Sequence, residues 1–152
     1  MMNYEIITLP EKTIIGISAR TNNQSPEMSE TIGKLWQKFY LENCYPTILN
    51  KANSKALGIY TDYVGTEMDD YTVFVGCEVT KMQDISKELT SMVVPAGKYA
   101  KFIVKGNMLT AVVEFWQKLW LMDLSRSYIC DFEEYQNADP ENAEIHIYIG
   151  LK

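Results

Sequence analysis

Apolar residues recur at helical spacing in two segments of the chain and alternate with polar ones in most of the rest. In the first helical segment the stripe is Met28, Ile32, Leu35, Trp36 and Phe39. Ser25 and Pro26 precede it, and a serine N-cap followed by proline at the first helical position predicts the helix start there. The second stripe is Leu109, Val112, Val113, Trp116, Leu119 and Trp120. The packing faces carry nearly the same hexapeptide, "LWQKFY" at 35–40 and "FWQKLW" at 115–120, 80 positions apart.

The flanks of the two helices also correspond. Before the first comes "LPEKTIIGIS" (9–18), and before the second "VPAGKYAKFIV" (94–104); each is a proline turn followed by a β-branched or aromatic run. Strands "ALGIYTDY" (56–63) and "YTVFVGCEV" (71–79) follow the first helix, and "YICDFEEY" (128–135) and "AEIHIYIGL" (143–151) follow the second. "NYEIIT" (3–8) and "ELTSMVV" (88–94) add a leading strand to each copy, and the polar stretch 80–93 joins the halves. The pattern predicts one α+β domain over 1–152, a duplicated strand-strand-helix-strand-strand module with repeats at about 1–80 and 88–152.

One amphipathic helix covers one face of a small sheet and leaves the other bare. Two modules solve this by joining their strands into one antiparallel sheet or by packing around a pseudo-twofold axis, with a central cleft between them. Alternation puts Phe74 and Tyr148 at equivalent positions, "FVG" against "YIG", on the face their helices do not cover. In 128–135, Tyr128, Cys130, Phe132 and Glu134 point one way, and Ile129, Asp131, Glu133 and Tyr135 the other. Cys130 and Phe132 suit the core beneath the helix, which sends Asp131, Glu133 and Tyr135 to the cleft.

Composition narrows the chemistry. The net charge of −6 opposes binding to phosphate backbones, which need clustered Lys and Arg. A lone histidine, His146, leaves no His-rich metal site and no catalytic triad, and G-x-S-x-G is absent. Cys44, Cys77 and Cys130 are irregularly spaced and read as buried reduced thiols. No apolar run approaches the roughly 20 residues that cross a bilayer, and the start lacks the basic-then-apolar order of a secretory signal, so a cytoplasmic location is expected. No cofactor is implied. A carboxylate among rings, with no Lys or Arg within 128–135, invites a cationic ligand that stacks on Trp or Tyr.

The "VPAGKYAKF" segment (Pro95, Gly97, Tyr99, Phe102), the helix-borne Leu35-Trp36 and the ending "DFEEY...DP...EIHIYIGLK" resemble the GyrI-like small-molecule-binding family. That module also forms the effector-binding domains of AraC-type and MerR-type multidrug-sensing regulators. The resemblance spans essentially the whole chain. It implies a cleft for hydrophobic, often cationic compounds, with a buried glutamate at its centre. By position that glutamate is Glu133, with Glu134 second; Trp36 matches the helix tryptophan, and Tyr148 lies in the last strand where pocket aromatics occur. The expected ligand-binding set is Glu133, Trp36, Tyr148, Phe74, Tyr135 and Trp120, and the expected partners are lipophilic cations. The module fills the chain without a helix-turn-helix segment, so neither direct transcription regulation nor nucleic-acid binding is expected.

Plainer readings stand beside these. Trp116 packs a helix on the sheet, Tyr60, Tyr63 and Tyr135 are solvent-tipped strand residues, His146 is a strand residue, and Asp139 and Glu141 flank a turn. Two other functions compete with binding. One is hydrolysis of electrophilic small molecules by Glu133 with Tyr148 or Tyr135; the other is sequestration of a basic protein partner, as in gyrase-inhibitor members of the family.

Overall fold

The computed structural model describes residues 3–42, 44–66, 69–82, 89–137 and 139–152. Positions 83–88 of the expected linker and positions 67–68 lie outside them. The strands are β1 (Glu5–Leu9), β2 (Lys12–Thr21), β3 (Ala56–Thr61), β4 (Tyr71–Val79), β5 (Thr90–Val94), β6 (Gly97–Gly106), β7 (Arg126–Tyr135) and β8 (Ala143–Leu151). The helices are α1 (Met28–Leu41), the short α2 (Cys44–Thr47) and α3 (Met108–Trp120).

Among the described residues the eight strands form one sheet, in the order β1-β6-β8-β7-β3-β4-β2-β5, with antiparallel pairing throughout. That order is unchanged when each strand of the first half is exchanged with its counterpart in the second and the sheet is read from the other edge. The central contact is β3 with β7, where Ile59 pairs with Phe132, flanked by Gly58 opposite Glu133 and Tyr60 opposite Asp131.

α1 begins later than Ser25-Pro26 predicts. Ser25 closes a turn instead, its hydroxyl accepting from the Glu27 N–H and its carbonyl from Met28 N–H, and the N-cap position falls on Glu27 without a side-chain cap. α3 has the capping bond that α1 lacks: the Asn107 side chain accepts from the backbone N–H groups of Leu109 and Thr110.

The hexapeptides supply equivalent anchors. Leu35 and Phe39 of α1 are buried on Ile15, Ile17, Val73 and Val75, while Phe115 and Leu119 of α3 are buried on Phe102, Ile145 and Ile147. Strand registers show that both helices cover the same face. Val73 and Val75 pair with Tyr60 and Gly58, which pair with Asp131 and Glu133, which in turn pair with Ile149 and Ile147. Alternation places all of these on one side.

The sidedness expected for β7 is therefore reversed, whereas Phe74 and Tyr148 do lie on the face the helices leave bare. Cys130 and Phe132 do not lie beneath a helix; they join Leu57, Ile59, Phe74, Tyr99 and Tyr148 in a cluster on the opposite face. Val94 of β5 belongs to that cluster, and Ile7 and Leu9 of β1 pack against it, so the sheet wraps its own edges around the face the helices leave bare. Gly16 permits close approach within the curl, since a Cβ there would collide with the Val75 carbonyl. Asp131 and Glu133 thus lie on the helix side of the sheet.

Candidate functional site

Two carboxylates stand on the helix-facing side of β7, two residues apart, and both are buried: Asp131 is 0% exposed and Glu133 1%. Burial of a carboxylate is costly unless its oxygens find partners. The two solve this differently.

Asp131 is held by charge. Arg126, itself 5% exposed, donates from Nη2 to Oδ2 at 2.7 Å; the Tyr63 hydroxyl donates to the same oxygen at 2.6 Å, and the Gly150 N–H donates to Oδ1 at 2.9 Å. The Arg126 guanidinium also lies over the Tyr128 ring, 4.4 Å from its centroid. A register break between Arg126 and Asp131, with Tyr128 at φ 55°, folds the start of β7 back far enough for this contact. The strand therefore does contain the basic partner that 128–135 lacks, five residues before Asp131.

Glu133 is held by neutral donors. Tyr135 donates its hydroxyl to Oε1 at 2.7 Å, Trp116 its indole N–H to Oε2 at 2.8 Å, and Tyr60 its hydroxyl to Oε2 at 3.0 Å. Among the described residues no Lys, Arg or His makes an ion pair with it. Burial pushes the carboxyl above its ordinary value of 4.5, and the three hydrogen bonds oppose that rise without cancelling it. Burial and the adjacent carboxylate likewise push the Tyr60 and Tyr135 hydroxyls well above their ordinary range, so both remain donors at neutral pH.

Rings close the box. The Trp36 indole meets the Tyr135 ring edge-on at 5.1 Å, and the Trp116 indole meets Tyr60 edge-on at 5.4 Å. Each helix thus sends the tryptophan of its hexapeptide against a tyrosine that bonds Glu133. Tyr40 stacks on the outer side of Trp36 at 6.2 Å. A surface groove of about 90 Å³, lined by residues including Pro95, Tyr99, Ser127 and Gly150, lies away from this box.

Of the residues expected to bind ligand, Glu133, Trp36 and Tyr135 come together here. Phe74 and Tyr148 do not: both lie in the opposite-face cluster, where the Tyr148 ring stacks on Phe132 at 4.6 Å. Pairing of Glu133 with Tyr148 in a hydrolytic reaction is thereby excluded, while Tyr135 is in direct contact. Trp120 is 41% exposed at the end of α3, outside the box. Glu134 points away, toward Lys55 at 3.7 Å and Gln136 at 2.8 Å. Sequence reasoning missed Trp116 and Tyr60 as Glu133 donors; the signal for Trp116 was its match to Trp36 in the repeated hexapeptide.

Other chemistry is sparse. Among the described residues no group of three or more His, Cys, Asp or Glu is arranged to hold a metal ion. All three cysteines are buried, and burial pushes the Cys77 and Cys130 thiols up to about 11 and about 12. His146 Nε2 lies 2.8 Å from Glu144 Oε2. No helix of the described residues is long and apolar enough to cross a membrane.

Comparison with known proteins places this architecture. The family model described as "Cass2: Integron-associated effector binding protein" matches residues 5–151. The integron cassette protein VCH_CASS2 from the mobile metagenome of Vibrio cholerae is 30% identical, with a TM-score of 0.80 over 98% of this chain and 95% of that one. SAV2435, solved bound to tetraphenylphosphonium, is 20% identical, with a TM-score of 0.82 over 99% of this chain and 94% of that one. The C-terminal domain of EcmrR, 16% identical, shares the fold with a TM-score of 0.59 over 99% of both chains. No curated protein matches by sequence. The chain belongs to the Cass2 family of integron-associated effector-binding proteins, and its fold is that of the GyrI-like effector-binding domains.

Proposed function

We propose that the protein binds lipophilic, preferentially cationic small molecules between α1 and α3, with Glu133 as the charge-matching group and Trp36, Tyr60, Trp116 and Tyr135 as the surrounding rings. The observation that carries this reading is the contrast on β7. Asp131 has a guanidinium at 2.7 Å, whereas Glu133, equally buried, has three neutral donors and no cation among the described residues. A lipophilic cation supplies the missing charge. It also gains roughly 0.5–2 kcal/mol for each ring against which it is well placed.

The donors fit the same reading. Three hydrogen bonds hold the carboxylate before a cation arrives; two of them fill Oε2, and Oε1, with one donor, keeps a lone-pair direction. Recognition by charge and ring contact, with no fixed array of directional bonds to the ligand, favours breadth over a single shape. The tetraphenylphosphonium bound by SAV2435 has this chemistry.

Titration of the purified protein with tetraphenylphosphonium and with a rhodamine-type dye, followed by tryptophan quenching, tests the proposal. Saturable micromolar binding supports it. Absence of binding to both probes contradicts it, and turnover of an electrophilic ester without cation binding would point to Glu133 and Tyr135 as hydrolytic groups instead.

A further inference from the structure

Gly58 sits mid-strand in β3, directly opposite Glu133 in the β3–β7 pair. Glycine in a strand interior weakens it, because it fixes a flexible backbone and packs no side chain. Its backbone does not call for glycine, since positive φ among the glycines is confined to Gly97 and Gly106. Space is the reason. A Cβ at position 58 would lie 3.0 Å from Cζ2 of Trp36 and 3.3 Å from Oε1 of Glu133.

These two atoms belong to different elements, the indole to α1 and the carboxylate to β7. They meet over the one residue of β3 that has no side chain. The oxygen concerned also accepts from Tyr135, whose ring is the one Trp36 touches edge-on. A wedge at position 58 would therefore move the indole and the carboxylate apart, and would disturb the Tyr135 contact with both.

We infer that Gly58 is a positioning residue of the effector site: its missing side chain sets the indole of Trp36 beside the carboxylate of Glu133, so that one cation can meet both. This rests on the proposed function for its effect on binding, but the spatial relationship exists without ligand. Trp36 is partly exposed and held on a helix, so an added methyl displaces it outward without unfolding the sheet.

A double-mutant cycle of Gly58→Ala with Trp36→Phe tests the inference, because the shorter ring of phenylalanine does not reach the added methyl. With Trp36 present, Gly58→Ala is expected to weaken tetraphenylphosphonium binding about 10-fold; in the Trp36→Phe background it is expected to cost about 2-fold or less. The same non-additivity is expected in the Tm of the ligand-free proteins. Equal costs of Gly58→Ala in both backgrounds, in both readouts, overturn the inference. If the unsubstituted protein binds no tetraphenylphosphonium, the cation reading fails and the Tm cycle alone decides for or against Gly58.

Discussion

Trp116 donates its indole N–H to Oε2 of Glu133 at 2.8 Å, tying α3 to a central strand of the sheet. Phenylalanine at this position keeps most of the apolar contact and removes the donor. A hydrogen bond to a buried charged group contributes about 1.5–3 kcal/mol. Trp116→Phe is therefore expected to lower stability at neutral pH by an amount in that range and to raise the Glu133 carboxyl further from its ordinary value. Chemical denaturation monitored by circular dichroism measures the first effect.

Glu133→Gln should stabilise the ligand-free protein at neutral pH. The glutamine Oε1 can accept from Trp116 and Tyr60, while its amide donates to Tyr135, whose hydroxyl can turn to accept. The pH dependence has a defined sign. Burial raises the folded carboxyl above 4.5, so its contribution is fully present below that pH, and it is lost as pH rises toward and through the folded value. The variant's advantage over the parent is accordingly expected to be small at pH 4 and to grow with pH to a plateau. In a chain of this size each kcal/mol appears as about 2–4 °C in Tm. A constant difference across pH would show that Glu133 does not titrate differently on folding.

Arg126→Met leaves Asp131 buried without its cation, although the Tyr63 and Gly150 bonds remain. Breaking a buried pair on one side costs about 3–5 kcal/mol. Adding Asp131→Asn removes the stranded charge, so the double variant is expected to recover much of that loss. Urea unfolding of the parent, the single variant and the double variant reads this directly.

Two tyrosines separate the faces of the sheet. Tyr135→Phe removes a donor to Glu133 and is expected to change tetraphenylphosphonium affinity, whereas Tyr148→Phe, on the opposite face, is expected to leave it within about 2-fold. Parallel calorimetric titrations of the two variants make the comparison.

The repeated hexapeptides, the strand alternation and the Glu133 match made the fold class and the box's central carboxylate legible in the sequence. The sidedness of β7 was not legible, because Asp131 and Glu133 make its helix-facing side the more polar one, and the partners that let them be buried are tertiary contacts. Phe132 is buried through Val94 and Tyr99, whose places in the sheet depend on the pairings of β5 with β2 and β6 with β8, which no local pattern reports. Arg126 was missed for a different reason. Strand alternation breaks between Arg126 and Asp131, where Tyr128 takes positive φ and Ile129 turns to solvent, so counting by twos from Asp131 cannot find its partner. Trp116 was assigned to packing because it shares its helical stripe with Leu119, which is core; its bond to a strand carboxylate is a tertiary contact that the stripe does not report.

If Glu133 awaits a cation, as proposed, ligand charge decides affinity. Affinities of the protein and of Glu133→Gln are compared for tetraphenylphosphonium and for neutral triphenylphosphine oxide, by isothermal titration calorimetry at pH 8. The substitution is expected to weaken the cation by about 10-fold or more, a difference of about 1.4 kcal/mol, while the neutral compound changes little. Equal losses for both compounds, or none for the cation, would contradict it.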